Sequence, residues 1–262
     1  MKRDLEKMKN NEEKTFLPDI YPEDLSDRKE IESHIYNKWY EINGKLDRPF
    51  YYHNLKNEES FIKSLIAKFN IKSGSDLIDI GCGNGLYAML FRKHGIQITA
   101  VDISNNAIRY CINRYGKEVA DWTCSDALEL DYNETFDYGF CNFFTLFNMF
   151  DTPQQGTKYV DKIMKYIKKG GTLFFIWYSD LTAVRFGLAN NRFAIMNFTM
   201  RQLECLFSAF KLESYAIDSM ARLPIYLKKY AFNKFITRLS CAVIPVLDSS
   251  WKRVRIILVV HK

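Results

Sequence analysis

Long apolar runs are missing from this 262-residue chain. No stretch approaches the roughly 18 to 20 consecutive apolar residues that cross a bilayer, so no membrane-spanning helix is expected. The amino terminus, "MKRDLEKMKNNEEKTF", is charged where a signal peptide would be oily, which points to a cytoplasmic protein. Paired cysteines are missing as well. Cys82, Cys111, Cys124, Cys141, Cys205 and Cys241 lie far apart, with no C-x-x-C pair and no histidine at ligand spacing. That pattern argues against a disulfide framework and a zinc site and suits reduced, mostly buried thiols. Internal repeats and low-complexity tracts are also lacking.

What remains is a chain that is 47% hydrophobic, enough to bury a full core in one domain spanning residues 1–262. Its net charge of +6 is unevenly placed: thirteen lysines and arginines against four acids follow Asp180, while 24 basic and 27 acidic residues precede and include it. A basic last third suits an anionic substrate, an acidic membrane surface or RNA, without choosing among them.

Residues 1–25 are polar and highly charged, and a flexible arm is expected there. Two helices are predicted over residues 26–70. The first opens near Asp27 on the D-x-x-E pattern to Glu30 and runs through Ile35, Trp39 and Tyr40 to Gly44. The second starts near Asn57 and repeats Phe61, Ile62, Leu65, Ile66 and Phe69 at helical spacing. From Asp76, short oily runs alternate with amphipathic ones. "LIDI", "IQITAVD", "DWTCSD", "FDYGFCNF", "GTLFFIWYS", "KLESYAIDS" and "RVRIILVVHK" read as strands, and "LYAMLFRKHG", "NNAIRYCINRYG", "GTKYVDKIMKYIKK" and "MRQLECLFSAF" as helices. A turn at Gly170-Gly171 separates the third of these helices from its strand. The alternation predicts an α/β fold, a doubly wound and mostly parallel seven-stranded sheet with a helical insert at about residues 220–250 before the last strand.

The segment "LIDIGCGNG" places Gly81, Gly83 and Gly85 at alternate positions behind Asp79. A dinucleotide turn has the spacing G-x-G-x-x-G, and here the third glycine comes one residue early, with Leu86 in its place. Asp102, which ends the second strand, suits the ribose diol of either ligand class. Asp79 separates the classes, because a carboxylate at the mouth of the loop repels a pyrophosphate and attracts an ammonium or sulfonium.

In order and spacing, "LIDIGCGNG", "AVDIS", "SDALEL", "FDYGFCNFF" and "IKKGGTLFF" resemble the successive signature stretches of class I S-adenosylmethionine-dependent methyltransferases, over roughly residues 55 to 180. The resemblance implies a Rossmann-like fold with residues 75–180 as the cofactor-binding core, residues 181–262 on the substrate side, and S-adenosyl-L-methionine as cofactor, with S-adenosyl-L-homocysteine as product. It further implies that Gly81, Cys82, Gly83 and Gly85 approach the methionine part, with Asp79 near its amino group. Asp102 would accept the ribose hydroxyls while Ile103 packs on the adenine. Asp126, flanked by Ser125 and Ala127, would take the adenine amino group, and Asn142 and Phe143 would line the methyl-transfer face. Each residue also has a purely structural alternative: Asp102 as a helix cap, Asp126 as a solvated loop acid, and the glycines as relief of crowding in a turn.

A catalytic base, if the reaction needs one, is expected at His53 or Tyr178, and acceptor contacts at Tyr51, Tyr52, Arg185, Arg222 and Lys228. Residues 225–243 form an amphipathic arc that reads as a lid helix or a membrane-surface helix. The expected activity is methyl transfer to a small anionic metabolite that is phosphate- or nucleotide-linked. Oxygen is the expected acceptor atom, in surface-polysaccharide or secondary-metabolite biosynthesis. An RNA methyltransferase, a lipid or quinone methyltransferase at the membrane surface, and a non-catalytic cofactor-binding partner are the alternatives.

Overall fold

The computed structural model describes residues 28–44, 55–142, 153–180, 200–218 and 253–262. Two helices, α1 (Arg28–Gly44) and α2 (Leu55–Phe69), precede the first strand. The chain then alternates β1 (Asp76–Ile80), α3 (Leu86–Arg92), β2 (Gln97–Asp102), α4 (Asn105–Tyr115), β3 (Asp121–Cys124), β4 (Phe136–Asn142), α5 (Pro153–Tyr166), β5 (Ile167–Asp180), α6 (Met200–Leu206), β6 (Lys211–Asp218) and β7 (Arg253–His261). All seven strands join one sheet in the order β3-β2-β1-β4-β5-β7-β6. Pairs from β3 through β5 are parallel, and β7 runs antiparallel to both β5 and β6. The mostly parallel, doubly wound, seven-stranded sheet expected from the sequence is therefore present.

Strands covered on both faces need side chains that tolerate burial on both sides, and the sequence supplies continuous apolar runs. Leu173 to Trp177 on β5 and Ile256 to Val260 on β7 are all buried. Their alternate residues divide between two cores. Phe174, Ile176, Ile257 and Val259 pack with α2 and α3, whereas Leu173, Phe175, Trp177, Ile256, Leu258 and Val260 pack with α5 and α6. The apolar stripe read on α2 is the one buried: Phe61, Ile62 and Leu65 are inside, with Ile66 and Phe69 against them.

The boundary between α5 and β5 differs from the sequence expectation. The helix begins at Pro153 and ends at Tyr166, and "IKK" together with the two glycines belongs to β5. Ile167 is fully buried and pairs with Phe136, after which the register jumps so that Tyr138 faces Thr172. β5 thus takes five steps while β4 takes two, and the excess bulges out. Gly170, at φ 78°, donates its N–H to the carbonyl of Lys262, and the Lys262 N–H donates to Gly171. A side chain on Gly171 would meet the Asp137 carbonyl at 2.7 Å, so the bulge requires glycine there.

The order β2-β1-β4 places β1 at the reversal point of the sheet, with its carboxyl end opening toward the segment after Ile80. No helix among the described residues is long and apolar enough to cross a membrane.

Candidate cofactor site

The turn after β1 is fixed first by backbone. The N–H groups of Gly81 and Cys82 both donate to the Val101 carbonyl of β2, at 2.9 and 3.0 Å, and Gly85 N–H returns to Cys82 at 2.9 Å. Gly81, Gly83 and Gly85 all adopt positive φ, at 69°, 55° and 70°. At Gly85 the glycine is required twice over. Its φ lies in the left-handed region, and an added Cβ would lie 2.8 Å from the Trp122 ring and 2.9 Å from Cys111 Sγ. Gly85 also caps α3, whose second residue, Tyr87, turns into the protein.

Two carboxylates face this turn. Asp102 is 9% exposed; its Oδ2 accepts the Gly83 N–H and its Oδ1 the Ser104 N–H, each at 2.9 Å. The helix cap of α4 is Ser104, whose hydroxyl accepts the Ala107 N–H, so Asp102 is not the capping residue. Burial raises the Asp102 carboxyl above its ordinary range, against the opposing pull of the Ser104, Gly83 and Ile103 N–H groups. Asp79 is 2% exposed, and its Oδ2 has no hydrogen-bond partner among the described residues. Burial, reinforced by repulsion from Asp102 and partly offset by the Ala88 N–H, pushes Asp79 up to about 8. A buried carboxylate oxygen without a donor is costly unless a ligand supplies one.

The remaining expected contacts cluster beside these. Ile103 and Ser125 are half-buried, and Ser125 N–H donates to the Asp102 carbonyl at 3.0 Å. Asp126 is buried, with Oδ1 accepting the Leu128 N–H at 2.9 Å, so one of its oxygens closes the local turn. Ala127 is buried, and its carbonyl accepts the Tyr166 hydroxyl at 2.8 Å. Asn142 is half-buried at the carboxyl end of β4. The Cys82 thiol is buried, and a hydrogen bond with Cys111 together with that burial raises it well above its usual range. Cys82 therefore serves the turn through its backbone.

Several expected residues cannot be placed against this geometry. His53, Tyr51, Tyr52, Phe143, Arg185, Arg222 and Lys228, with the 220–250 insert and the 1–25 arm, lie outside the described residues. Tyr178 is on β5, paired in register with Arg255 of β7, and only its backbone is described.

Two features escaped the sequence reading. Glu58 of α2 and Arg255 of β7 form a buried ion pair, Arg255 Nη2 donating to both carboxylate oxygens at 2.8 and 3.0 Å. Tyr87 of α3 donates its hydroxyl to the same carboxylate at 2.8 Å, and the Arg255 guanidinium lies 4.3 Å from the Phe61 ring centre. The pair thus ties three elements together beside the glycine turn. The second feature is Tyr40 of α1, buried with its hydroxyl against Gly83. Neither has a local sequence pattern, because the partners lie far apart along the chain.

Residues 78–175 match a family described as a methyltransferase domain. The chain is 28% identical over 152 residues to a malonyl-[acyl-carrier protein] O-methyltransferase of Acetivibrio thermocellus, covering 54% of this chain and 52% of that one. It is 30% identical over 112 residues to a tRNA (carboxymethyluridine(34)-5-O)-methyltransferase of Arabidopsis thaliana, covering 42% of this chain and 26% of that one. The chain thus spans about half, or about a quarter, of the length of these curated relatives. Among solved structures, the fold is shared with a magnesium protoporphyrin IX methyltransferase from Synechocystis PCC 6803 that carries bound S-adenosylmethionine, with a TM-score of 0.58 at 12% identity, covering 92% of this chain and all of that one. Sheet order and the solved-structure likeness together show a Rossmann-like methyltransferase fold, within which residues 78–175 resemble a methyltransferase domain.

Proposed function

We propose that this protein transfers a methyl group from S-adenosylmethionine to a small anionic metabolite, phosphate- or nucleotide-linked, with oxygen as the acceptor atom. The observation that carries the cofactor half of this reading is Asp79: a buried carboxylate with one oxygen that no hydrogen-bond donor meets among the described residues, beside a second buried carboxylate and a bare peptide turn. That donor set fits a cationic nucleoside. Asp79 would serve the ammonium of the methionine part, Asp102 the ribose diol through lone pairs left by its two backbone bonds, and Ile103 the adenine face. Gly81, Gly83 and Gly85 would give the ligand close approach to the backbone. Asp126, flanked by Ser125 and Ala127, would meet the adenine amino group, and Asn142 the methyl-transfer face.

When bound, the cofactor supplies a methyl group activated by its sulfonium. The work left to the protein is to hold the acceptor oxygen in line with that carbon and to keep water out. Approximation of this kind is worth several kcal/mol on its own, of the roughly 7–11 kcal/mol that ideal orientation can contribute, so a dedicated base is optional. The acceptor half of the reading is supported by the basic last third of the chain and by the name of the Acetivibrio relative, which describes O-methylation of an acid-bearing carrier.

A methyl-release screen tests the proposal. Purified protein and methyl-labelled S-adenosylmethionine are incubated with nucleotide sugars, phosphorylated metabolites, acidic lipids in vesicles, and RNA. Label is expected in a small acceptor, at a rate little affected by moderate salt. Label appearing only in RNA, at a rate that collapses as salt rises, would replace the small-acceptor reading by the RNA one.

A further inference from the structure

Helix α1 lies outside the strand-and-helix alternation that builds the nucleotide site, yet it is fastened to that site at three points. At its middle, Asn37 Oδ1 accepts both the Ser104 hydroxyl at 2.9 Å and the Asn106 N–H at 3.1 Å, while the Asn106 amide donates to the Asn37 carbonyl at 2.9 Å. These bonds hold α1 to the turn that directly follows Asp102 and Ile103. At its amino end Lys29 is ion-paired with Glu129, three residues beyond Asp126. The third point is Tyr40, buried one turn beyond Asn37; its hydroxyl would lie 3.1 Å from a Cβ on Gly83, the residue whose N–H is held by Asp102. The helix therefore joins the turn assigned to the ribose, the turn assigned to the adenine and the middle of the glycine turn.

Charge sharpens what Tyr40 can do there. Asp79 and Asp102 suit the ammonium and hydroxyl groups of a nucleoside amino-acid ligand, but the same ligand carries a carboxylate, which both acids repel. That group needs a neutral donor at the turn. A phenol provides one, and the nearby negative charge disfavours its ionisation: burial, followed by repulsion from Asp102, holds Tyr40 well above its ordinary range, so it keeps its hydrogen at any working pH. Gly83 lacks the side chain that would crowd this hydroxyl.

We infer that α1 clasps the cofactor, with Tyr40 as a cofactor-contacting residue that donates its hydroxyl hydrogen to the carboxylate of the cofactor's amino-acid end. The inference rests on the S-adenosylmethionine reading above and adds to it a residue from outside the alternating core. It has a consequence that a packing role lacks. Removing the hydroxyl should weaken ligands that possess the amino-acid end and spare those that end at the thioether.

The test is calorimetry of the whole chain with two probes, S-adenosylhomocysteine and 5′-methylthioadenosine. Tyr40→Phe is expected to weaken the first about tenfold or more, the loss that accompanies one hydrogen bond to a charged group, and the second less than twofold. Asn37→Ala, which loosens the clasp beside the ribose, is expected to weaken both probes to a similar degree. Hydrogen exchange supplies a second measurement: saturation with S-adenosylhomocysteine is expected to slow exchange of the α1 amides in the wild-type protein. Tyr40→Phe binding S-adenosylhomocysteine as the wild type does, an equal loss for both probes, or α1 exchange indifferent to ligand would overturn the inference while leaving the cofactor reading intact. Wild-type protein that binds neither probe would end the cofactor reading and this inference with it.

Discussion

Cofactor binding at neutral pH should expel a proton, and Asp79 should be its source. In the ligand-free protein this carboxyl is held up to about 8 by burial and by Asp102. A group titrating there is protonated in roughly nine molecules out of ten at pH 7. An ammonium and a sulfonium placed beside it favour the ionised form, so binding drives off up to about 0.9 of a proton at pH 7. Calorimetric titration with S-adenosylmethionine in buffers of different ionisation enthalpy reads that number as the slope of observed heat against buffer heat. The slope should fall toward zero above about pH 9, where the carboxyl is already ionised. Asp79→Asn should abolish it at pH 7 and, as a control, isolate any titration of the cofactor's own amino group. Folding stability supplies the complementary sign. Because the folded value lies above the unfolded one, the contribution of Asp79 is fully present below about pH 4 and is lost as pH rises toward 8, an effect on the order of several kcal/mol. Asp79→Asn is therefore expected to raise the melting temperature of the ligand-free protein at pH 8 while weakening the cofactor. Saturable binding with no buffer dependence at pH 7, or an equal slope in the variant, would refute the reasoning.

Other perturbations follow from the same geometry. Asp102→Asn keeps the shape of the side chain but can satisfy only one of the Gly83 and Ser104 N–H groups, so it should cost about 1–3 kcal/mol of folding stability in denaturant and weaken S-adenosylhomocysteine by at least tenfold. Gly85→Ala forces a Cβ into the Trp122 ring and the Cys111 sulfur at positive φ, and a loss of about 2–4 kcal/mol is expected on denaturation. Arg255→Met takes the charged partner from the buried Glu58 carboxylate and should cost about 3–5 kcal/mol, whereas the double variant Glu58→Leu, Arg255→Met should recover most of that loss.

The features legible in the sequence were those with a local cause. Oily runs marked the strands because a sheet covered on both faces demands them, and the spacing of Gly81, Gly83 and Gly85 together with Asp79 and Asp102 marked the turn, because close backbone approach and charge are properties of those residues themselves. The α5 boundary was misread where tertiary partners outweighed local preference. Lys168 looks like part of a helix end, but its ammonium bonds to Asp137 at 2.8 Å and the neighbouring Ile167 is fully buried against β4, so the segment is drawn into the sheet. Asp126 illustrates the converse: its residue type suited an adenine contact, yet one of its oxygens also holds the chain at Leu128. The contacts of Tyr40 and Arg255, by contrast, had no local signal, since Tyr40 meets a turn some forty residues away and Arg255 pairs with Glu58 across most of the chain.

Everything at this site depends on whether the bare turn and its two buried acids select a nucleoside bearing an ammonium over a pyrophosphate. Parallel titrations of the intact chain with S-adenosylhomocysteine and with NADH ask that question directly. Saturable one-to-one binding of the first and no detectable binding of the second is the expected result; NADH bound as tightly, or S-adenosylhomocysteine not bound at all, would contradict it.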